Sequence, residues 1–168
     1  MTWDAYRRRK TVVQEILTVA DADTDATLDS VLRAVPEARE VYPDTTLLLL
    51  DIQLRWASEL NTRLDNLAGD GADTPQIGVI DAWVDAAAAL PGARRLLDEA
   101  RDLPEMAKAI AKEDEILARA AGVPALSPDL VEQGHEIAES ARERSVLPEI
   151  HPAPAPTLLQ RLRYVMAA

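Results

Sequence analysis

Apolar residues recur at three- and four-residue steps along most of this chain, the spacing that gathers them on one side of an α-helix. Trp3, Tyr6, Lys10, Val13, Leu17 and Ala20, with Val12, Ile16 and Val19 widening the stripe, predict an amphipathic helix over 2–20. In that reading Trp3, Tyr6, Val13 and Leu17 must all be buried. A short helix is expected over 27–35. Pro36 then opens a brief turn, because proline is tolerated where the first helical N–H has no partner, and 36–42 reads as a connector.

After Pro43 the chain reads TTLLLLDIQLRWASELNTRLDNLAG, apolar around much of its circumference until Gly69 stops it. This segment is expected to be the central and most buried helix. Thr74-Pro75 supplies a cap and a first-turn proline for the next stripe, Ile77, Ile80, Trp83, Val84, Ala87 and Leu90. Pro91 starts a short helix to about 101, Pro104 a longer one to 121, and Gly122 with Pro124 ends it. Ser127-Pro128 opens a further segment with Leu130, Val131, Gly134, Ile137, Ala138 and Ala141 on one side. AVPEAR at 34–39 and ALPGAR at 89–94 look alike, but a proline at a helix start recurs for capping reasons alone.

The composition changes near the end. Residues 145–156 hold four prolines and no helical period, which predicts an extended linker. TLLQRLRYVMAA, 157–168, reads as a terminal amphipathic helix carrying Leu158, Leu159, Leu162, Val165 and Met166. No run alternates at period two for long enough to be a strand. The fold class is therefore all-α: a single-domain bundle of about six to seven helices over 1–144, a proline-rich linker, and a terminal helix.

Charge and composition narrow the function. Acids outnumber bases 29 to 18, so the summed field repels phosphate backbones, and nucleic acid is an unlikely partner on electrostatic grounds. There are no cysteines, hence no disulfide, thiolate nucleophile or iron–sulfur ligand. The leucine run Leu47 to Leu50, like every other apolar run in the chain, falls far short of the roughly 20 residues that a bilayer crossing needs, and the polar start lacks a signal-like region. A cytoplasmic protein with no membrane span is expected.

Four places could carry chemistry. DADTDATLD at 21–29 resembles the calcium-binding loop of the EF-hand family: Asp21, Asp23, Asp25, Thr27 and Asp29 fall at loop positions 1, 3, 5, 7 and 9. Position 6 is Ala26 and position 12 is Leu32, so the glycine bend and the bidentate glutamate are both missing. Asp and Thr capping the next helix explain the stretch without a metal. Glu132 and His135 form one E-x-x-H, the half-motif of di-iron bundles, yet the second pair that such sites require is absent and an exposed acidic face accounts for it. Trp56 and Trp83 lie on apolar stripes, as core or as walls of a ligand pocket.

The fourth is RRRK at 7–10. Successive helical residues point about 100° apart, so the four cannot face one groove. Asp4 is expected to pair with Arg8 at i, i+4, and neighbouring helices to supply acids for the others. There is no phosphate loop, dinucleotide fingerprint or nucleophile elbow, and no cofactor is expected. A non-enzymatic helical adaptor or scaffold fits best, bound to a protein partner or to its own copies, with docking by Leu158, Leu159, Leu162, Val165 and Met166. The rival is a bundle that binds a small apolar ligand or a metal ion.

Overall fold

A computed structural model describes residues 3–67 and 75–146. Eight α-helices are present among them: α1 (Trp3–Ala22), α2 (Leu28–Ala34), α3 (Glu37–Val41), α4 (Thr45–Leu67), α5 (Pro75–Ala89), α6 (Pro91–Glu99), α7 (Ala107–Ala120) and α8 (Leu130–Val146). A 3-10 turn at Pro104–Met106 leads into α7, and no strand occurs among the described residues. The expected all-α bundle is what the chain forms. It has one helix more than expected in its body, because 36–42 is α3 and not a connector. Ala38 and Tyr42 give that short segment an apolar side, and both are buried. α8 also runs two residues past 144, to Val146. The linker beyond it and the terminal helix over 157–168, with Leu158, Leu159, Leu162, Val165 and Met166, lie outside the described residues.

One continuous core joins Val12, Ile16 and Ala20 of α1 to Leu48, Leu49, Ile52, Trp56 and Leu60 of α4, Trp83 of α5, Leu96 of α6 and Leu117 of α7. α4 runs through its middle, packed on α5 and α6, while α8 lies along α7 and α5. α7 and α8 approach most closely at Gly134. A side chain there would overlap the backbone carbonyl of Asp114, and its Cβ would lie 2.8 Å from the Asp114 Cα. Only glycine lets two helix backbones come this near.

α1 and α6 cap one another. Asp21 Oδ1, at the end of α1, accepts the Gly92 N–H at 2.7 Å. Arg95 of α6 reaches back to the Ala20 carbonyl and to the Asp23 carbonyl at 3.0 Å. Helix ends leave backbone groups without intrahelical partners, and here each helix supplies what the other lacks. A Cβ at Gly92 would sit 2.7 Å from the Ala20 Cβ, so the joint requires glycine.

Several sequence expectations are corrected. Trp3 and Tyr6 are not buried: Trp3 is 67% and Tyr6 47% exposed, because the apolar stripe of α1 extends beyond the helices that cover it, and burial begins at Val12. α4 is the central helix, and on its outer side Leu54 is 68% exposed beside α1. Asp4 pairs with Arg7 at 3.2 Å, one residue from the expected partner, which leaves Arg8 free to bridge Glu37 at 2.6 Å and Glu40 at 3.1 Å on α3. Val131 is likewise more exposed than its stripe suggested.

Candidate functional site

The densest chemistry in the molecule is a buried polar centre where α4, α5, α6, α7 and α8 meet. Gln53, Arg94, Glu113 and Asp114 are its buried members. The Glu113 carboxylate accepts from Gln53 Nε2 at 2.8 Å and Trp83 Nε1 at 3.1 Å, and faces the Arg94 guanidinium at 3.5 Å. Arg94 also pairs with Asp98 at 3.0 Å, one turn further along α6. From α8, Arg142 meets the same Asp98 oxygen at 3.0 Å and Glu139 at 2.8 Å, and Arg101 joins Glu139 at 2.7 Å. Charges buried to this degree persist only when paired and hydrogen-bonded, which this network achieves across helices far apart in sequence.

Trp56 and Trp83 stand at its edge. Their rings meet edge to face, with centroids 5.3 Å apart and planes at 70°. The Arg94 guanidinium lies 4.8 Å from the Trp56 ring centre and 5.5 Å from that of Trp83, and Arg142 covers Trp83 at 5.5 Å. Ring faces carry partial negative charge, so the two tryptophans line the arginine's slot as well as filling core volume. Trp56 Nε1 and Arg94 Nε have no hydrogen-bond partner among the described residues.

Asp114 is the group whose proton affinity stands out. Burial against α8 pushes its carboxyl up to about 6; Glu113 and Glu139 push the same way, while His135 and Arg142 oppose them. The His135 ring nitrogen Nδ1 lies 3.7 Å from Asp114 Oδ2. A carboxyl near 6 suits proton transfer, but the geometry here is that of a sealed helix seam: Asp114 is 4% exposed and Gly134 holds α8 against it.

The raised value fixes a pH dependence. A folded-state pKa of about 6 against 3.8 means that the fold holds this proton more tightly than the unfolded chain does. The resulting stabilisation, up to about 3 kcal/mol at 1.36 kcal/mol per unit, is complete below pH 3.8 and is lost as pH rises through 6. Asp114→Asn removes this term. The difference in unfolding free energy between variant and wild type, measured in urea from pH 4 to 7, is expected to grow in the variant's favour with rising pH. A difference that stays constant across the range would show that Asp114 does not carry the effect.

The sequence-derived candidates occupy other places. In the 21–29 stretch, Asp21 is committed to Gly92, Asp23 Oδ1 accepts the Asp25 N–H at 3.0 Å, and Asp29 pairs with Arg33 at 2.9 Å and Arg39 at 3.8 Å. Thr27 forms a capping box with Ser30 at the start of α2. These oxygens serve caps, a turn and ion pairs. Glu132 is exposed on α8, and His135 faces Asp114 of α7. No three His, Asp or Glu side chains gather as a metal cage among the described residues.

The surface offers a different kind of feature. Between α1 and α4 runs a groove of about 370 Å³, lined by Tyr6, Val13, Leu17 and Leu54, with Arg9, Lys10, Asp51 and Arg55 at its rim. Arg9 is tied to Asp51 at 2.9 Å, and Asp51 also accepts from the Tyr42 hydroxyl at 2.6 Å, which together with burial pushes the Tyr42 phenol up to about 12. Beyond Tyr6 the apolar surface continues onto Trp3, stacked on Tyr6 with centroids 5.6 Å apart. A second cavity, about 460 Å³ and more polar, lies between the start of α5 and the α7–α8 connection. Neither cavity reaches Arg94, Glu113 or the two tryptophans.

No helix among the described residues is long and apolar enough to cross a membrane. Comparison with family models, characterised proteins and solved structures returned no match, so the functional reading rests on this chain's own residues.

Proposed function

We propose that this protein is a non-enzymatic helical adaptor or scaffold subunit whose work is to hold another polypeptide. The supporting observation is the division between interior and surface. The reactive side chains are spent on one another: Glu113 has three partners, Arg94 is enclosed by two rings and two carboxylates, and Asp21, Asp23 and Asp29 are taken up by a helix start, a turn and ion pairs. What faces outward instead is an apolar groove with an aromatic extension, Trp3, Tyr6 and Leu54 all standing exposed in a protein that buries its other two tryptophans. Exposed apolar surface in one continuous stretch is the usual mark of a docking face.

The test is native mass spectrometry of the tagged full-length chain isolated from its own host, with co-purifying proteins identified. A stoichiometric polypeptide partner, or a defined assembly of copies, is the expected result. A reproducible small non-polypeptide mass on a lone chain would instead establish the rival reading, a bundle that carries a ligand or metal.

A further inference from the structure

We infer that the α1–α4 groove receives an acidic amphipathic helix of a partner protein; this rests on the adaptor reading and specifies what the adaptor holds. The first argument is charge. With 29 acids to 18 bases, almost every cation in this chain should find a carboxylate, and almost every one does. Among the described residues only Lys10, Arg55 and Lys108 have no ion-pair or hydrogen-bond partner, and two of these three stand on the rim of one groove. The carboxylate at that rim, Asp51, is already taken by Arg9 and Tyr42. The groove therefore presents net positive charge on a molecule that is otherwise strongly negative.

The second argument is shape. The lining runs along α1 from Tyr6 to Leu17 with Leu54 opposite, a span of roughly 16 Å at 1.5 Å per residue, or about three helical turns. An apolar trough of that length along α1, walled on its other side by the Asp51–Arg55 turn of α4 with Leu54 facing it, suits anchors at i, i+3/i+4 and i+7 of a docked helix. Acidic residues flanking those anchors would meet Lys10 and Arg55. A second copy of this chain is the poorer occupant by the same logic, because a two-fold contact through this groove would bring Lys10 and Arg55 against themselves.

The experiment is a selection on the full-length protein from a display library of 14-residue amphipathic helices, with polar faces randomised among Asp, Glu, Lys, Arg, Ser and Gln. Binders to the wild type should be enriched at least tenfold in acidic over basic polar faces, should lose affinity at high salt, and should be blocked by Leu54→Asp. The Lys10→Glu/Arg55→Glu variant, whose changes are on the surface and whose folding is checked by circular dichroism, should select basic helices instead. No binders, or binders without charge preference, would overturn the assignment. Sedimentation equilibrium adds a separate arm: a wild-type oligomer that the double variant dissolves would make the occupant a second copy and overturn it too. If the natural partner is captured equally by wild type and Leu54→Asp, the adaptor reading stands and this groove is not its docking face.

Discussion

Replacing Gly134 by alanine is expected to detach α8 from α7. In an exposed helix that change normally stabilises by about 0.5–1 kcal/mol, because glycine has more backbone freedom to lose on folding. Here the added Cβ would overlap the Asp114 carbonyl, and the obstacle is backbone, which has no rotamer by which to retreat. Overpacking costs about 1–3 kcal/mol and occasionally more, and against an unyielding backbone the upper end applies, so the clash outweighs the propensity gain. A large fall in the denaturation midpoint is the expected outcome. Gly78 provides the contrast: its added Cβ would meet only Leu67 methyls at 3.6 Å, an ordinary contact, so Gly78→Ala should be neutral or mildly stabilising. If both substitutions behave alike in urea denaturation, the close approach of α7 and α8 is not as described.

Glu113→Ala should cost more. The carboxylate satisfies the Gln53 amide, the Trp83 indole N–H and part of the Arg94 charge, and a guanidinium cannot escape the penalty by losing its proton. Removing Glu113 leaves Arg94 with Asp98 as its one carboxylate and the Gln53 and Trp83 donors without an acceptor. Breaking a buried ion pair costs roughly 3–5 kcal/mol, a large fraction of the stability of a domain this size. Glu113→Gln keeps an acceptor oxygen and should lose markedly less. Near-ultraviolet circular dichroism of the tryptophans and guanidinium denaturation together test this. Equal losses for Ala and Gln would mean that the negative charge alone, and neither an acceptor oxygen nor side-chain volume, is what Glu113 contributes.

Much of this was visible in the chain. The three- and four-residue apolar spacing and the proline and glycine punctuation located every long helix, because amphipathic periodicity is what a bundle buries. α3 escaped notice since five residues are too few for a period to register. The error at Trp3 and Tyr6 has a different origin: periodicity identifies a face but not how far along the helix a neighbour extends to cover it. That shortfall is what leaves the groove and its aromatic extension open.

The buried polar centre did leave a trace, in residues that interrupt apolar stripes. Leu49, Gln53, Trp56 and Leu60 follow at helical spacing, as do Met106, Ile110, Glu113 and Leu117, and Leu90, Arg94 and Leu97. A single polar residue on an apolar line is commonly read as noise. Three of them on three helices, two of opposite charge and one an amide that can donate, amount to a sequence signature of a cross-helix network. Which of them meet depends on how the helices stack, and the pattern within any one helix does not carry that.

The reciprocal capping of α1 and α6 has a consequence for synthesis. Asp21 and Gly92 are separated by 71 positions, so the first helix emerges from the ribosome with its end unsealed and its apolar line uncovered. At about 5–20 residues per second, roughly 4–14 s elapse before the segment that closes it has been translated. During that interval the nascent chain is a client for any factor that shelters greasy helices.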